Sequence, residues 1–433
     1  MTPLLDLLST VTLSVLSFIL AILILVTVHE LGHYLVGRWR GIGADVFSVG
    51  FGPELVAFTD RRGTRWRLAA LPFGGYVRFR GDASAASAPS GVGGEGTFEA
   101  ASLRSRTLTV MAGPAANFLF AILIIAVSAI WSGVPSGEPR VGAVRPHPVE
   151  SGLREGDLVR SVAGLPVMDL SELAEMSAQL PAGDTLLWGV ERDEERLTVS
   201  GPRPLSPLVE HVNPLSPAQR VGLLPGDVIL KLNGSLVSDF SELRESVLTS
   251  KGAEVTLLIW RDGGTFEVRT RPERSDQPLP EGGFESRYLL GVGAGLPFEP
   301  ALRRPGPLEA LQIGADRTWA VIYLSGSALT NIVTGAISHC NIRGVVSMGE
   351  ASGATASQGA GSFVLFLGLL SVVIGFMNLL PIPTLDGGHL ALYAWEGMLG
   401  RAPNRRVISV LMQAGMVVLI GMMLLGLIND LTC

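Results

Sequence analysis

Residues 11–33 read VTLSVLSFILAILILVTVHELGH, and this stretch decides the fold. The run from Val11 to Val28 contains no charged side chain, and with its apolar flanks it is long enough for a membrane-spanning helix, which needs about 20 residues. The run leads without a break into the motif H-E-x-x-H. Because ionisable side chains at membrane depth are costly, they mark a functional site. We therefore expect a membrane helix that carries a reactive centre.

The motif H-E-x-x-H predicts a zinc site. On a helix, His29 and His33 lie one turn apart on the same face, where both imidazoles can bind one metal ion. Glu30, which follows the first histidine, can then act as general base on a zinc-bound water. We expect one Zn²⁺ per chain and hydrolytic chemistry. The alternative, a motif that arises by chance in a helix, is disfavoured by its uncharged surroundings.

The composition fits a membrane protein with water-soluble parts. The 433 residues are 47% hydrophobic and 17% charged, and the mean hydropathy is +0.40. The net charge of −6 is spread along the chain, which gives no reason to expect a nucleic-acid partner. The first apolar segment lacks the basic start and the short length of a signal peptide. Two cysteines are too few for a zinc cluster. We expect Cys340 and Cys433 to be unpaired, and the alternative is that they pair because both face an oxidising compartment.

The pattern of apolar segments predicts four membrane-spanning helices. A fifth segment, Thr318–Ser338, is uncharged but rich in Ser, Thr and Gly, so its apolarity is marginal. We expect it to form part of an interfacial helical segment over residues 300–345. The four spanning helices are expected within residues 1–37, 107–132, 362–388 and 406–429.

Arginines predict the orientation of these helices, because cytoplasmic loops are rich in basic residues. Residues 38–106 contain ten arginines, and three more lie between the third and fourth helices. Both loops should therefore be cytoplasmic, and residues 132–362 should lie on the outer, periplasmic side with both termini. The arginines are Arg38, Arg40, Arg61, Arg62, Arg65, Arg67, Arg78, Arg80, Arg104, Arg106, Arg401, Arg405 and Arg406.

The outer region contains two internal repeats at a constant offset. Residues 152–157 (GLREGD) match residues 222–227 (GLLPGD). A predicted strand, a glycine turn and a short helix follow in each copy. The pattern resembles two tandem PDZ domains, over residues 136–203 and 204–273, and PDZ domains bind extended peptides or C-termini at a sheet edge. The alternative is a pair of β-rich spacers that bind nothing.

The loop after the first helix is expected to form a β element. Residues 61–63 form a predicted hairpin turn, and the Gly- and Ser-rich segment Ala83–Gly96 is expected to be a flexible loop. The candidate strands are Val46–Phe51, Leu55–Thr59, Arg65–Leu71 and Tyr76–Phe79.

A catalytic zinc site needs a third protein ligand beside an open position for water. Asp386 is an acidic residue at the cytoplasmic end of the third predicted helix, at the same depth as His29. His389 lies three residues further on and remains an alternative. Asp386 meets the histidines only if the fifth segment does not span the membrane. Gly387 and Gly388 should let the backbone approach the metal closely.

Together, these features resemble the site-2 protease family of intramembrane zinc metalloproteases, in particular its bacterial sigma-E-pathway members with two PDZ domains. The resemblance covers nearly the whole chain. One departure is Arg343-Gly344, where relatives tend to have Gly-Pro. The matching motifs are H-E-x-x-H at residues 29–33, N-x-x-P-x-x-x-L-D-G at 378–387, GFGP at 50–53, PFGGYV at 72–77 and GPAAN at 113–117.

The resemblance implies roles for individual residues. It implies that His29, His33 and Asp386 bind zinc and that Glu30 is the base. It also implies that Asn378 holds the substrate backbone or polarises its carbonyl group, although a helix–helix hydrogen bond is the alternative. The remaining implied residues, Gly74, Gly75 and Tyr76, belong to a membrane-associated β element that presents the substrate as a strand. For Asn117 we expect a structural role.

The function implied is hydrolysis of a peptide bond in or beside a substrate's membrane helix. Substrates would be single-pass proteins, such as anti-sigma factors or signal-peptide remnants, in the bacterial inner membrane. The PDZ pair would exclude substrates with bulky outer domains. A rival hypothesis is a non-proteolytic membrane scaffold that displays two PDZ domains and needs no role for Glu30. A third is an anchored protease whose active site faces outward.

Overall fold

The computed structural model describes residues 3–81, 94–279, 283–338, 340, 342–401 and 403–432. Most of the predicted flexible loop at Ala83–Gly96 lies outside these residues. The chain divides into two units, described separately below. The first comprises residues 1–128, 306–335 and 339–433, and the second comprises residues 129–305 and 336–338.

Helices dominate the first unit because its apolar runs are long and seldom interrupted. Of the described helices, four are long and apolar enough to cross a membrane, which confirms the number predicted. In chain order, the described helices of both units are α1 (Pro3–Trp39), α2 (Leu103–Ser132), α3 (Leu170–Glu175), α4 (Pro217–Arg220), α5 (Phe240–Thr249), α6 (Pro307–Val333), α7 (Val345–Ser357), α8 (Ala360–Leu379), α9 (Asp386–Leu399) and α10 (Arg405–Thr432). Of these, α3, α4 and α5 lie in the second unit.

Each strand that the structure describes pairs antiparallel with its neighbours, and the strands form seven separate sheets. In chain order, they are β1 (Ala44–Thr59), β2 (Arg65–Phe79), β3 (Val134–Pro135), β4 (Val141–Val144), β5 (Leu158–Val162), β6 (Leu165–Pro166), β7 (Thr185–Arg192), β8 (Glu195–Pro202), β9 (Val209–Val212), β10 (Val228–Leu232), β11 (Ser235–Leu236), β12 (Val255–Arg261), β13 (Gly264–Thr270), β14 (Glu273–Pro278), β15 (Phe284–Leu289), β16 (Val292–Ala294), β17 (Phe298–Pro300) and β18 (Leu302–Arg303).

The third predicted spanning helix is shorter than expected. The prediction ran to residue 388, but α8 ends at Leu379 and a separate helix begins at Asp386. Pro381 and Pro383 lie in the break, where neither can supply the backbone N–H that a continuing helix needs. Asp386 therefore lies at the start of α9, not at the end of a membrane helix.

Helix α6 contains most of the fifth predicted segment but begins earlier, at Pro307. It is not among the four described helices with the composition of a membrane span. Its first turns contain the charged residues Glu309, Asp316 and Arg317, and this composition agrees with the prediction that the segment does not span the membrane. At Gly314, an added Cβ would overlap the carbonyl oxygen of Ile122, so this glycine permits close contact between α6 and α2.

Helix α7 was not predicted from the sequence. It packs on α1 through small side chains, and a Cβ at Gly353 would overlap Ser14. Its first turn is capped by Asp430 of α10, whose carboxylate accepts hydrogen bonds from the N–H groups of Gly344 (2.8 Å) and Val346 (3.0 Å).

The prediction of unpaired cysteines is wrong for Cys340, which is disulfide-bonded; Cys433 lies outside the described residues. The residues of α10 that precede Cys433 lie beside the segment that follows Cys340. The side chain of Asn429 donates a 3.0 Å hydrogen bond to the carbonyl oxygen of Ile342. The sequence did not indicate this proximity, because the two segments lie far apart in the chain.

Strands β1 and β2 form a curled antiparallel hairpin. The predicted turn is confirmed, since Oδ1 of Asp60 accepts hydrogen bonds from the N–H groups of Arg62 (2.8 Å) and Thr64 (3.0 Å). The four predicted strands merge into two long ones. Phe47 of β1 pairs with both Trp66 and Val77, so β2 folds back along both sides of β1.

The second unit contains two sheets with the same strand order, β6-β5-β7-β8 and β11-β10-β12-β13. The predicted strands Leu158–Val162 and Val228–Leu232 are β5 and β10. In the first repeat, Arg192 forms an ion pair with buried Asp157 (2.7 Å), and Arg261 and Asp227 form the equivalent pair in the second (2.6 Å). The repetition therefore extends from sequence to structure.

A segment after the second repeat pairs with both repeats. Strand β16 pairs with β9 of the second repeat, and β17 pairs with β4 of the first. Strand β18 then pairs with β3, at the start of the unit. The sequence repeats gave no sign of this pairing, because the segment itself is not repeated.

Candidate metal centre

His29 and His33 lie on one face of α1, and both are buried, with 8% and 9% of their surfaces exposed. Their Nε2 atoms are 3.2 Å apart. The uninterrupted helix produces this arrangement, since residues four apart lie one above the other. Both imidazoles therefore direct the same nitrogen to one point.

Asp386 brings a carboxylate to the same point. Its Oδ2 atom lies 3.1 Å from Nε2 of His29 and 3.3 Å from Nε2 of His33. As the first residue of α9, Asp386 also lies at the positive end of that helix, where a carboxylate is favoured. The three side chains are the one group among the described residues whose ligand atoms could hold a metal ion.

Gly387 and Gly388 lie in close contact with the connection between α8 and α9. A Cβ added at Gly387 would overlap the carbonyl oxygen of Leu379, at the end of α8. A Cβ added at Gly388 would overlap that of Ile382, in the connection between α8 and α9. The two glycines are therefore needed for close packing of α9 against that connection, and their role in approach to the metal stays a prediction.

The three ligand atoms fit zinc. In a tetrahedral site with bonds of about 2.0–2.2 Å, ligand atoms lie about 3.3–3.6 Å apart, and the separations of 3.1–3.3 Å seen here are within a few tenths of an ångström of that range. Two neutral imidazoles and one carboxylate are also a usual ligand set for catalytic zinc. Space beside them is kept by Gly113 of α2, since a Cβ there would overlap Nε2 of His33.

Helix α2 contacts the outer nitrogens of both imidazoles. Nδ1 of His33 lies 2.8 Å from the carbonyl oxygen of Thr109, and Nδ1 of His29 lies 3.4 Å from Nδ2 of Asn117. Partners of this kind orient metal-binding histidines. The sequence did not reveal the Asn117 contact, although the four-residue spacing of Thr109, Gly113 and Asn117 places them on one helix face.

Glu30 lies beside the three ligands, and its Oε2 atom accepts a 2.9 Å hydrogen bond from the backbone N–H of Val77. Strand β2 thus borders the candidate base directly. The alternative ligand His389 lines a cavity beside the three ligands, but it is absent from the group of converging ligand atoms. Its ring instead lies near that of Tyr393, with centroids 6.5 Å apart.

A cavity of about 910 Å³ adjoins the centre, and it is lined by Glu30, Gly75, Tyr76 and Asn378 among others. Asn378 donates a 3.1 Å hydrogen bond to the carbonyl oxygen of Ile374 within α8, and not to another helix. The cavity therefore contains a candidate base, a strand edge and an amide beside the three ligands.

Gly74 is not among the residues that line the cavity. It has φ +108°, and a Cβ there would approach the ring of Phe51 at 2.9 Å. Its neighbour Gly75 lies close to α1, since a Cβ there would be 3.1 Å from Cγ1 of Val26. Both glycines are thus required by the shape of β2.

The arrangement can support hydrolysis. It combines a metal-ligand group with an open side, an acidic residue next to that group, and a cavity large enough for a peptide segment. Comparison with known proteins agrees with this chemistry. The profile of Peptidase family M50 matches residues 17–422. The chain therefore belongs to peptidase family M50, the site-2 protease family, and it is a zinc metalloprotease.

Individual relatives extend over nearly the whole chain. A candidate zinc metalloprotease of Rhizobium meliloti (strain 1021) is 34% identical over 394 residues, which cover 89% of this chain and 87% of the relative. Protease RseP of Yersinia pestis is 33% identical, covering 96% and 98%. Regulator of sigma-E protease RseP of Escherichia coli (strain K12) is 31% identical, covering 96% and 97%. These matches confirm the predicted family.

Proposed function

We propose that this protein is an intramembrane endopeptidase that cleaves the membrane segments of single-pass proteins, including anti-sigma factors or signal-peptide remnants. One observation carries the proposal. The converging atoms of His29, His33 and Asp386 lie on or beside helices of membrane-spanning length, next to a cavity bordered by a strand edge. A soluble peptide would not require a site among such helices.

His29, His33 and Asp386 would hold the zinc ion. When bound, zinc acidifies a coordinated water and polarises a carbonyl group. Glu30 would accept the proton from the attacking water and later donate it to the leaving amine. The position of Glu30, one residue from a ligand and facing the cavity, supports this role.

Strand β2 would bind the substrate as an added strand. The N–H of Val77 points away from β1, because it donates to Glu30, and the alternation of a strand gives Gly75 the same direction. These two residues offer backbone groups to an extended peptide. A helical substrate must unwind before it can pair in this way, so helix-breaking residues should favour cleavage.

Asn378 would contact the backbone of the bound segment. Its amide lines the cavity, and one of its two amide hydrogens is used within α8. The other could donate to the scissile carbonyl as negative charge develops on it. Tyr76 borders the same space and would contact the substrate side chains.

The repeats are proposed to be two PDZ-like domains on the periplasmic side, where they would restrict access by substrates with bulky domains or bind their termini. Their shared strand order and paired Asp–Arg bridges support a common fold. The arginine pattern supports the orientation, with the active site near the cytoplasmic face of the inner membrane. If cysteines introduced near Arg62 can be labelled from outside the cell, this topology is wrong.

A cleavage assay tests the proposal. Purified protein is incubated with a single-pass reporter, and Glu30→Gln is compared with wild type and with Glu350→Gln, a change at an exposed acidic residue of α7. We expect Glu30→Gln to lose at least about 100-fold in rate while retaining zinc, and the control to cleave normally. Cleavage by the Glu30 variant at the wild-type rate would refute the mechanism.

A further inference from the structure

We propose that Asn117 is a positioning residue for the metal centre, and that its side-chain oxygen accepts a hydrogen bond from Nδ1 of His29. This contact would fix the imidazole tautomer whose Nε2 lone pair faces the metal. The inference rests on the proposed role of His29 as a zinc ligand.

The geometry of the pair leads to this assignment. Asn117 is fully buried, and its amide lies 3.4 Å from Nδ1 of His29. A neutral imidazole that offers Nε2 to a metal must carry its hydrogen on Nδ1, which then needs an acceptor. The oxygen and nitrogen of an asparagine amide exchange places by a half-turn of the side chain. Such a turn brings Oδ1, which otherwise has no hydrogen-bond partner, to Nδ1.

His33 provides a parallel on the same helix. Its Nδ1 atom lies 2.8 Å from the carbonyl oxygen of Thr109, and because a carbonyl can only accept, Nδ1 carries the hydrogen. Thr109, Gly113 and Asn117 are four residues apart and share one face of α2. That face therefore supplies an acceptor for each imidazole and, at Gly113, the space between them.

Asn117 is itself held in place by α8. Its backbone carbonyl oxygen accepts a 2.9 Å hydrogen bond from Oγ of Ser371, and Ser371 is also fully buried. Gly375, one turn further along α8, allows close approach, because a Cβ there would lie 3.2 Å from Cβ of Asn117. The amide consequently has few other positions available to it.

Zinc binding by the full-length protein in detergent tests the inference. Asn117→Leu removes the acceptor at similar volume, whereas Asn117→Asp keeps one. Zinc retained against increasing chelator is measured by elemental analysis, and the absorption of the Co²⁺-substituted protein reports on the ligand geometry. Asn331→Leu, in α6, is the control for loss of a helical asparagine, since Asn331 bonds within its own helix.

We expect Asn117→Leu to weaken zinc binding about 10- to 100-fold, as loss of such partners typically does, and to alter the Co²⁺ spectrum. Asn117→Asp should stay within a few-fold of wild type, and Asn331→Leu should match it. Thermal unfolding of the metal-free proteins should differ little, because the proposed effect acts on the metal. If the leucine variant does not fold, Asn117→Ala gives the same comparison.

Two results would overturn the inference. One is wild-type zinc affinity in a folded variant without an acceptor, and the other is equal loss in the aspartate and leucine variants. His29→Ala separates this failure from that of the proposed function. If zinc binding survives His29→Ala, the ligand assignment itself is wrong. If zinc binding is lost in His29→Ala but unchanged in Asn117→Leu, only the role of Asn117 is contradicted.

Discussion

The backbone N–H of Val77 donates a 2.9 Å hydrogen bond to Oε2 of Glu30, and so the edge of β2 is joined directly to the candidate base. The contact places the strand in a fixed position relative to the carboxylate. A substrate that pairs with this edge would therefore arrive with its backbone beside Glu30. It would also compete for the same N–H.

Val77→Pro should lower kcat/KM by about tenfold or more, since a hydrogen bond to a charged group contributes about 1.5–3 kcal/mol. Proline removes the N–H at the strand edge but leaves the pairing with β1. Steady-state cleavage of a membrane reporter measures the effect. Arg78→Pro is the comparison, because strand alternation directs its N–H toward β1. That variant should instead lose thermal stability, and equal behaviour of the two would contradict the edge assignment.

Metal analysis should distinguish the two candidate third ligands. We expect about one zinc per chain in wild type, little in Asp386→Ala, and normal content in His389→Ala, since zinc catalytic sites use three protein ligands. The measurement is elemental analysis of purified protein after dialysis. Zinc lost only in the His389 variant would show that the converging carboxylate of Asp386 is not the ligand.

Gly113→Ala should impair the metal centre through bulk alone. The added Cβ would overlap Nε2 of His33 and lie 2.9 Å from Cε1 of His29, so we expect zinc affinity to fall at least about tenfold. Gly421→Ala in α10 is the matched control, because nothing lies within 4 Å of its Cβ position. The control should bind zinc normally and be as stable as wild type or about 1 kcal/mol more so.

The first repeat should become less stable in acid because of His147. Burial lowers the pKa of His147 to about 4, below the value of about 6.5 for an exposed histidine. The unfolded chain therefore binds the proton first, and stability is lost as the pH falls from about 6.5 to about 4. Partial exposure limits the effect to about 1–2 kcal/mol.

Thermal unfolding at several pH values, followed by tryptophan fluorescence, measures this loss. Trp188 is a suitable probe because it is fully buried in the core of the same repeat. His147→Gln cannot take up the proton, so its melting temperature should fall less between pH 7 and pH 5. Parallel pH profiles for the two proteins would exclude His147 as the cause.

Local sequence patterns predicted much of this fold. Uncharged runs gave the four apolar helices, and alternation with glycine turns gave β5, β10 and the turn after β1. The spacing of His29 and His33 required only a regular helix to bring their nitrogens together. These features depend on neighbours in the sequence, where helix and strand periods can be read directly.

Features that depend on distant contacts were missed. The apolar run predicts one helix through Pro381 and Pro383, because the hydropathy is continuous there, whereas α8 ends before the two prolines. The sequence predicts a structural role for Asn117, and its contact with His29 arises only when α1 and α2 pack. Pairing of β16 and β17 with the repeats likewise joins segments that share no sequence pattern.

The pairing of β3 with β18 has a consequence for how the protein can be taken apart. Val134 pairs with Arg303, so the chain enters and leaves the second unit at neighbouring points. Domains whose ends lie together tolerate insertion into, and excision from, a host chain. The repeat region should therefore be removable as one piece. We expect that a short Gly-Ser linker in place of residues 134–303 leaves a helical remainder that still binds zinc. If the repeats restrict access as proposed, that remainder should also cleave reporters with bulky outer domains.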